Sequence, residues 1–222
     1  MQNIPQRPFV YDPPRDPPYR LIFECEQYLI LDKPSNLLSV PGRPAEHKDS
    51  LAQRVQNDFP TATVVHRLDL ATSGIVIMPL TPQMHAHLGQ QFEKRRISKT
   101  YIADVYGQTN LNSGIIEAPM TVDWPNRPRQ IVDFEQGRAC TTRYKTLERF
   151  QNSSRLLLKP VTGRTHQLRV HMQYIGHPIL GDDLYAPDEA YTEYDRLHLH
   201  AAKIRFTDLA GKNVKFISKV PF

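Results

Sequence analysis

His66-Arg67-Leu68-Asp69-Leu70-Ala71-Thr72-Ser73-Gly74 is an apolar run with charge dropped into it, and it ends in residues that favour a tight turn. Carried outward in both directions, it reads as two strands over residues 63–70 and 74–78 flanking a Thr72-Ser73-Gly74 turn. Alternation along the first strand puts Arg67 and Asp69 on one face and His66 and Leu68 on the other. Taken alone, the charged pair reads as a strand-end ion pair; its surroundings decide whether it is more.

Upstream, β-rich runs at residues 20–23 and 28–31 predict a hairpin stopped by Pro34. Asp49 or Ser50 can cap a helix on which Leu51, Val55 and Phe59 recur at four-residue spacing. Downstream, Thr81-Pro82 is a cap and first-turn pair for a helix with Met84, Leu88 and Phe92 as its buried stripe. Strand-like runs follow at residues 100–106, 115–122, 130–134, 140–147 and 155–161, then a helix at 165–175. A closing hairpin is predicted from 197–206 and 213–220. Strands in runs separated by a few helices predict an α+β fold with a mixed, mostly antiparallel sheet. Six prolines before Arg20 (Pro5, Pro8, Pro13, Pro14, Pro17, Pro18) make residues 1–19 an extended tail, leaving 20–222 as the folded domain.

Charge narrows the function classes. Lys and Arg number 28 against 23 Asp and Glu, a formal +5, and six acids between Asp182 and Asp195 leave the rest of the chain more basic still. The bases gather as Lys94, Arg95, Arg96 and Lys99; as Arg127, Arg129 and Arg138; and as Arg155, Lys159, Arg164 and Arg169. With Tyr101, Tyr106, Trp124 and Phe134 interleaved, they predict a central basic cleft that tracks phosphates. Cys25 and Cys140 share no short spacing, no leader-like segment opens the chain, and the most apolar run, 75–80, is broken by Pro79. A cytoplasmic protein without membrane attachment is expected. The chain contains neither G-x-G-x-x-G nor G-x-x-x-x-G-K-[ST], so no nucleotide cofactor is expected.

A second constellation, Thr162-Gly163-Arg164-Thr165-His166-Gln167-Leu168-Arg169-Val170-His171-Met172, opens a helix from a polar loop, with Arg164 beside its N-terminus. His66-Arg67-Leu68-Asp69 with Thr72-Ser73-Gly74, Asp32-Lys33-Pro34-Ser35, Lys99-Thr100-Tyr101, Gly163 to His171, and Gly176-His177-Pro178-Ile179-Leu180-Gly181-Asp182 occur together in this order-rich set. In them the chain resembles the RluA-type pseudouridine synthases over roughly residues 20–220. Ser39-Val40-Pro41-Gly42-Arg43 and Asp123-Trp124-Pro125-Asn126-Arg127-Pro128 narrow the resemblance to members acting on both a tRNA anticodon stem-loop and 23S ribosomal RNA. Asn36 stands where the family carries glycine, and asparagine tolerates the left-handed turn this implies. The residues before Arg20 are too few for the separate RNA-binding domain many members carry, so target choice is expected to rest with the catalytic domain.

The resemblance implies isomerisation of uridine to pseudouridine, a reaction with no net gain or loss, and therefore no redox cofactor, ATP or metal. It implies Asp69 as the essential carboxylate, with attack on the sugar, attack on the base and removal of a sugar proton all open to it. It implies Arg169 as the cation that keeps Asp69 ionised, Tyr101 as the ring against uracil, and Arg67 as the side chain that fills the space of the extruded base. His66, Arg164 and His166 join as phosphate or ribose contacts, and the Trp124 to Arg129 loop reads equally as an RNA clamp or a proline-fixed turn. A monomer is the default. Two other classes compete: a metal-dependent phosphodiesterase built from Asp69, His166, His171, Asp182, His198 and His200, and a catalytically silent RNA-binding module. Chelator separates the first, because EDTA is expected to leave pseudouridine formation unchanged, whereas loss of activity restored by a divalent ion would favour the phosphodiesterase.

Overall fold

The computed structural model describes Arg7 and residues 10–222, so the prolines predicted at positions 5 and 8 of the tail lie outside the described residues. In chain order the strands are β1 (Arg20–Glu24), β2 (Tyr28–Lys33), β3 (Ser73–Pro79), β4 (Ser98–Tyr106), β5 (Ser113–Ile116), β6 (Met120–Val122), β7 (Gln130–Val132), β8 (Thr142–Arg149), β9 (Ser153–Pro160), β10 (Leu199–Thr207) and β11 (Asn213–Ile217). The α-helices are α1 (Leu51–Asp58), α2 (Pro82–Glu93), α3 (Gln167–Tyr174) and the single turn α4 (Asp188–Tyr191). This is the α+β class expected. The chain divides into two compact units, one formed by residues 10–99 and 200–221, the other by residues 100–199 with Arg7 and Phe222.

In the first unit β1, β2 and β3 run antiparallel in that order, and β3 meets β10 in parallel, with β11 closing antiparallel on β10. Every residue of β3 is buried, as a strand flanked on both edges requires. Ile30, Ile75, Ile77, Met84, Leu88 and Phe206 share the core, each aliphatic contributing roughly 1.5–3 kcal/mol of transfer free energy. The Thr81 side chain accepts from Met84 N–H at the start of α2, and Ser50, not Asp49, accepts from Gln53 N–H at the start of α1. Residues 10–19 form no helix or strand and are fastened by carbonyls and tyrosines: Arg54 donates to Pro14 O at 2.7 Å and to Pro18 O at 2.9 Å, Asn36 donates to Asp12 O, and Tyr11 Oη donates to Asp49 O at 2.7 Å. Asp49 grips the same guanidinium through both oxygens.

In the second unit β4, β9, β8 and β5 lie side by side, antiparallel at each pairing, while β6 and β7 form a separate ribbon. Asp104 and Arg155 are register partners on β4 and β9 and join through two hydrogen bonds, 2.7 and 2.8 Å. Met120, Cys140, Val170 and Tyr185 make a small core against which α3 rests.

Three expectations are corrected. Residues 62–72 are not a strand. Their apolar character suits burial, but their backbone groups are taken by side chains, so no ladder forms and alternation places neither Arg67 nor Asp69. The run 115–122 is two strands, because Pro119 has no N–H and its carbonyl turns to Asp133 N–H instead. The helix expected from residue 165 begins at Gln167, since His166 sits in left-handed conformation at φ 54. The closing and opening hairpins and the left-handed Asn36, at φ 59, stand as read.

Gly74 tests the β3–β10 contact. Its φ is +113, and an added Cβ would stand 2.5 Å from Ala201 O and 2.6 Å from Ala201 N, both backbone atoms that cannot turn aside. Gly74→Ala is expected to lose about 2 kcal/mol or more by urea or thermal unfolding. Gly176→Ala, with φ +82 and open space, should lose about 1 kcal/mol.

Candidate active site

The loop that carries Asp69 is stitched residue by residue. Leu68 is buried, and Ser39 Oγ serves both its backbone groups, accepting from its N–H at 3.1 Å and donating to its carbonyl at 2.7 Å. Lys33 ends the apolar strand β2 fully buried, and its ammonium donates to Pro34 O at 2.9 Å, Leu37 O at 2.7 Å and Leu70 O at 3.0 Å. Ser35 Oγ donates to Ala71 O, and Thr72 N–H turns back to Asp69 O. His66 Nε2 accepts from Ile77 N–H at 2.9 Å while its ring rests on Phe92 at 4.7 Å. Burial, assisted by the charge of Lys99, pushes His66 down to about 3, so the ring is neutral and the accepting nitrogen is free of a proton.

Asp69 thus stands half-buried between fixed neighbours. Within its own unit, no described residue donates a hydrogen bond or an ion pair to its carboxylate. Arg67 is exposed and likewise engaged by no described residue of its unit.

In the second unit the polar loop before α3 has its own central stitch. Gln167 is buried; its Oε1 accepts from Thr162 Oγ1 and Arg164 N–H, and its Nε2 donates to Thr141 O and Thr142 Oγ1. His166 Nδ1 meets Tyr185 Oη at 2.7 Å, and that hydroxyl accepts from Gln130 N–H. Arg169 is 3% exposed, so it is no surface ion pair. It grips Asp182 through Nε at 2.8 Å and NH2 at 2.6 Å, reaches Asp183 at 2.6 Å, and lies 5.1 Å from the Tyr185 ring centroid. Asp182 Oδ1 also accepts from Leu184 and Tyr185 N–H. Tyr101 is buried on β4 opposite Leu158, and Arg164 is exposed beside the thiol of Cys140.

Sequence reasoning gave roles to neither Lys33, Ser39 nor Gln167, although each stood in or beside a quoted motif. A lysine closing an apolar strand just before proline was the available signal. His171 is also structural: Nδ1 takes Thr142 Oγ1, Nε2 meets Ala118 O, and burial lowers its pKa. His198 pairs with Asp104, and His200 bridges Ser73 and Ser218. The histidines invoked for metal hydrolysis are thus spoken for, and among the described residues no group of three or more His, Cys, Asp or Glu is arranged to hold a metal. Nor is any described helix long and apolar enough to cross a membrane. The Trp124 to Arg129 loop is exposed at Trp124, with Arg127 stacked 4.8 Å from its ring centroid.

A family model described as RNA pseudouridylate synthase matches residues 27–174. The chain is 50% identical over 196 residues to the dual-specificity RNA pseudouridine synthase RluA of Vibrio cholerae, covering 88% of this chain and 80% of that one. It is 44% identical over 214 residues to the protein of the same description from Escherichia coli K12, covering 96% and 98%. Among solved structures, human RNA pseudouridylate synthase domain containing 1 superposes with a TM-score of 0.78 at 26% identity, covering 92% of this chain and 84% of that one.

The Arg169 geometry changes how its substitution must be read. Arg169→Ala strands a fully buried carboxylate, Asp182, and is expected to cost about 3–5 kcal/mol of stability. Arg169→Lys keeps the charge and should lose less, while Asp183→Asn, whose side chain is 44% exposed, should lose at most about 1 kcal/mol. Urea unfolding of the three variants checks this ranking.

Proposed function

Because the chain belongs to the RNA pseudouridylate synthase family, in its RluA branch, it is an isomerase converting uridine to pseudouridine in RNA, and we propose that Asp69 is the carboxylate that acts on the nucleoside. The observation that carries this is the state of Asp69: a half-buried carboxylate on a firmly held loop at the family's motif, unclaimed by the described residues of its own unit. The reaction breaks the N1–C1′ bond, turns the base, forms C5–C1′, and moves a proton off C5 while N1 gains one. Nothing in that balance requires an oxidant, a nucleotide or a metal.

Arg169 is carried over from the resemblance as the guanidinium of the second unit's motif, where Asp182 and Asp183 already grip it. Tyr101 offers uracil a ring, a contact worth roughly 1–3 kcal/mol, and a hydroxyl for the proton leaving C5. Extruding a stacked uridine costs a few kcal/mol, and the unengaged Arg67 fills the gap. Arg164 and His166 contact phosphate or ribose; His66, whose Nε2 is already used by Ile77, has only Nδ1 to offer and acts mainly by fixing the loop. The relatives' description as dual-specificity enzymes supports two targets here, which we take to be a tRNA anticodon stem-loop and 23S rRNA. Residues 20–222 act as one catalytic domain with 1–19 as its tail, in a cytoplasmic monomer.

Incubating the purified chain with transcribed tRNA and 23S rRNA fragments and mapping pseudouridine tests activity and target together. Asp69→Ala is expected to lose about three orders of magnitude or more in rate, and retained product would end the proposal. Tyr101→Phe should bind RNA normally and slow by about 10²-fold or more through loss of the hydroxyl.

A further inference from the structure

Lys99 follows the basic turn after α2, near the start of β4, and its ammonium makes no hydrogen bond or ion pair among the described residues. Its Nζ lies 5.8 Å from the Phe92 ring centroid, and Phe92 in turn rides on His66. Among the described residues no carboxylate, carbonyl or hydroxyl accepts from that ammonium. The position is unfavourable for a charge: Lys99 is partly buried, burial pulls its pKa below the usual lysine range, and its neighbour His66 is neutral. An apolar side chain of the same length would cover Phe92 without that cost, giving up only one long cation–π contact. A half-buried cation whose described contact is one ring face, with its N–H donors unused, points to a ligand.

Lys94, Arg95 and Arg96 stand exposed immediately before it, Arg95 at φ 54, and none has an ion-pair partner among the described residues. Glu93, also exposed, is the acid nearest in the chain. A compact ammonium with its donors unused prefers a full anion to a neutral carbonyl, and in RNA that anion is the phosphodiester. We propose that Lys99 anchors a phosphodiester seat for the substrate RNA, its ammonium on a non-bridging oxygen, with Lys94, Arg95 and Arg96 continuing along the strand. The seat rests on the RNA-isomerase reading and lies close to the target nucleotide, because the His66 that borders it is three residues before Asp69 on the stitched loop.

Binding of a transcribed anticodon stem-loop RNA, measured between about 50 and 200 mM salt beside thermal melting and pseudouridine formation, decides the matter. Lys99→Met should melt at or above wild type and bind the RNA more weakly, with the difference from wild type narrowing about threefold across that salt range, as loss of one phosphate contact requires. Lys99→Arg should recover most of the affinity. Wild-type affinity and salt slope in Lys99→Met, or a lowered melting temperature in that variant, overturns the seat. Wild-type protein that binds the stem-loop in this pattern yet makes no pseudouridine in any fragment refutes the isomerase reading and leaves the seat standing.

Discussion

A loop without a ladder must satisfy its carbonyls some other way, and in this protein the burden falls on the ammonium of Lys33. A buried cation costs several kcal/mol unless its protons are matched. Here three carbonyls from two separate segments converge on it, so the charge and the loop make each other tolerable. An apolar residue at this position would leave Leu37 and Leu70 carbonyls unmatched in the interior, the more expensive side of the hydrogen-bond asymmetry. The position of Asp69 depends on that exchange, because the aspartate's own side chain contributes no bond within its unit.

The second unit solves the same problem with a neutral group. Gln167 offers two donors and an acceptor, uses them on four partners around residues 141–164, and thereby sets the polar loop that leads into Arg169. Tyr185 is caught between the Arg169 guanidinium and the His166 ring, so the cation, the phenol and the imidazole are fixed by one another. In both units the chemistry-bearing residue is flanked by a buried polar side chain that serves backbone.

What sequence could reveal follows from this division. The hairpins, the Thr81 cap and the Met84–Leu88 stripe were legible because alternation, capping and four-residue spacing are local signals. Residues 63–70 were misread as a strand because the side chains that serve the backbone of Leu68 and Leu70 lie 29 and 37 residues away, beyond any local pattern. Asp69 was legible only through a motif, its geometry being invisible to periodicity. Lys33 was missed because it binds carbonyls, and Gln167 because half its partners are main-chain groups, which leave no trace in residue type. Asn36 is the counterexample, where one side chain's tolerance of positive φ announced the turn.

The proline-rich tail is held by main-chain oxygens and by tyrosines: Arg54 and Asn36 take the carbonyls of Asp12, Pro14 and Pro18, while Tyr11 Oη donates to Asp49 O and Tyr19 Oη to Asp58. Such an attachment asks that the segment stay extended and keep its tyrosines, so substitutions are free to accumulate only at the exposed positions between them. Drift at those exposed positions would leave the enzyme's anchorage untouched, whereas a change at Arg54 would release the strap at two points at once.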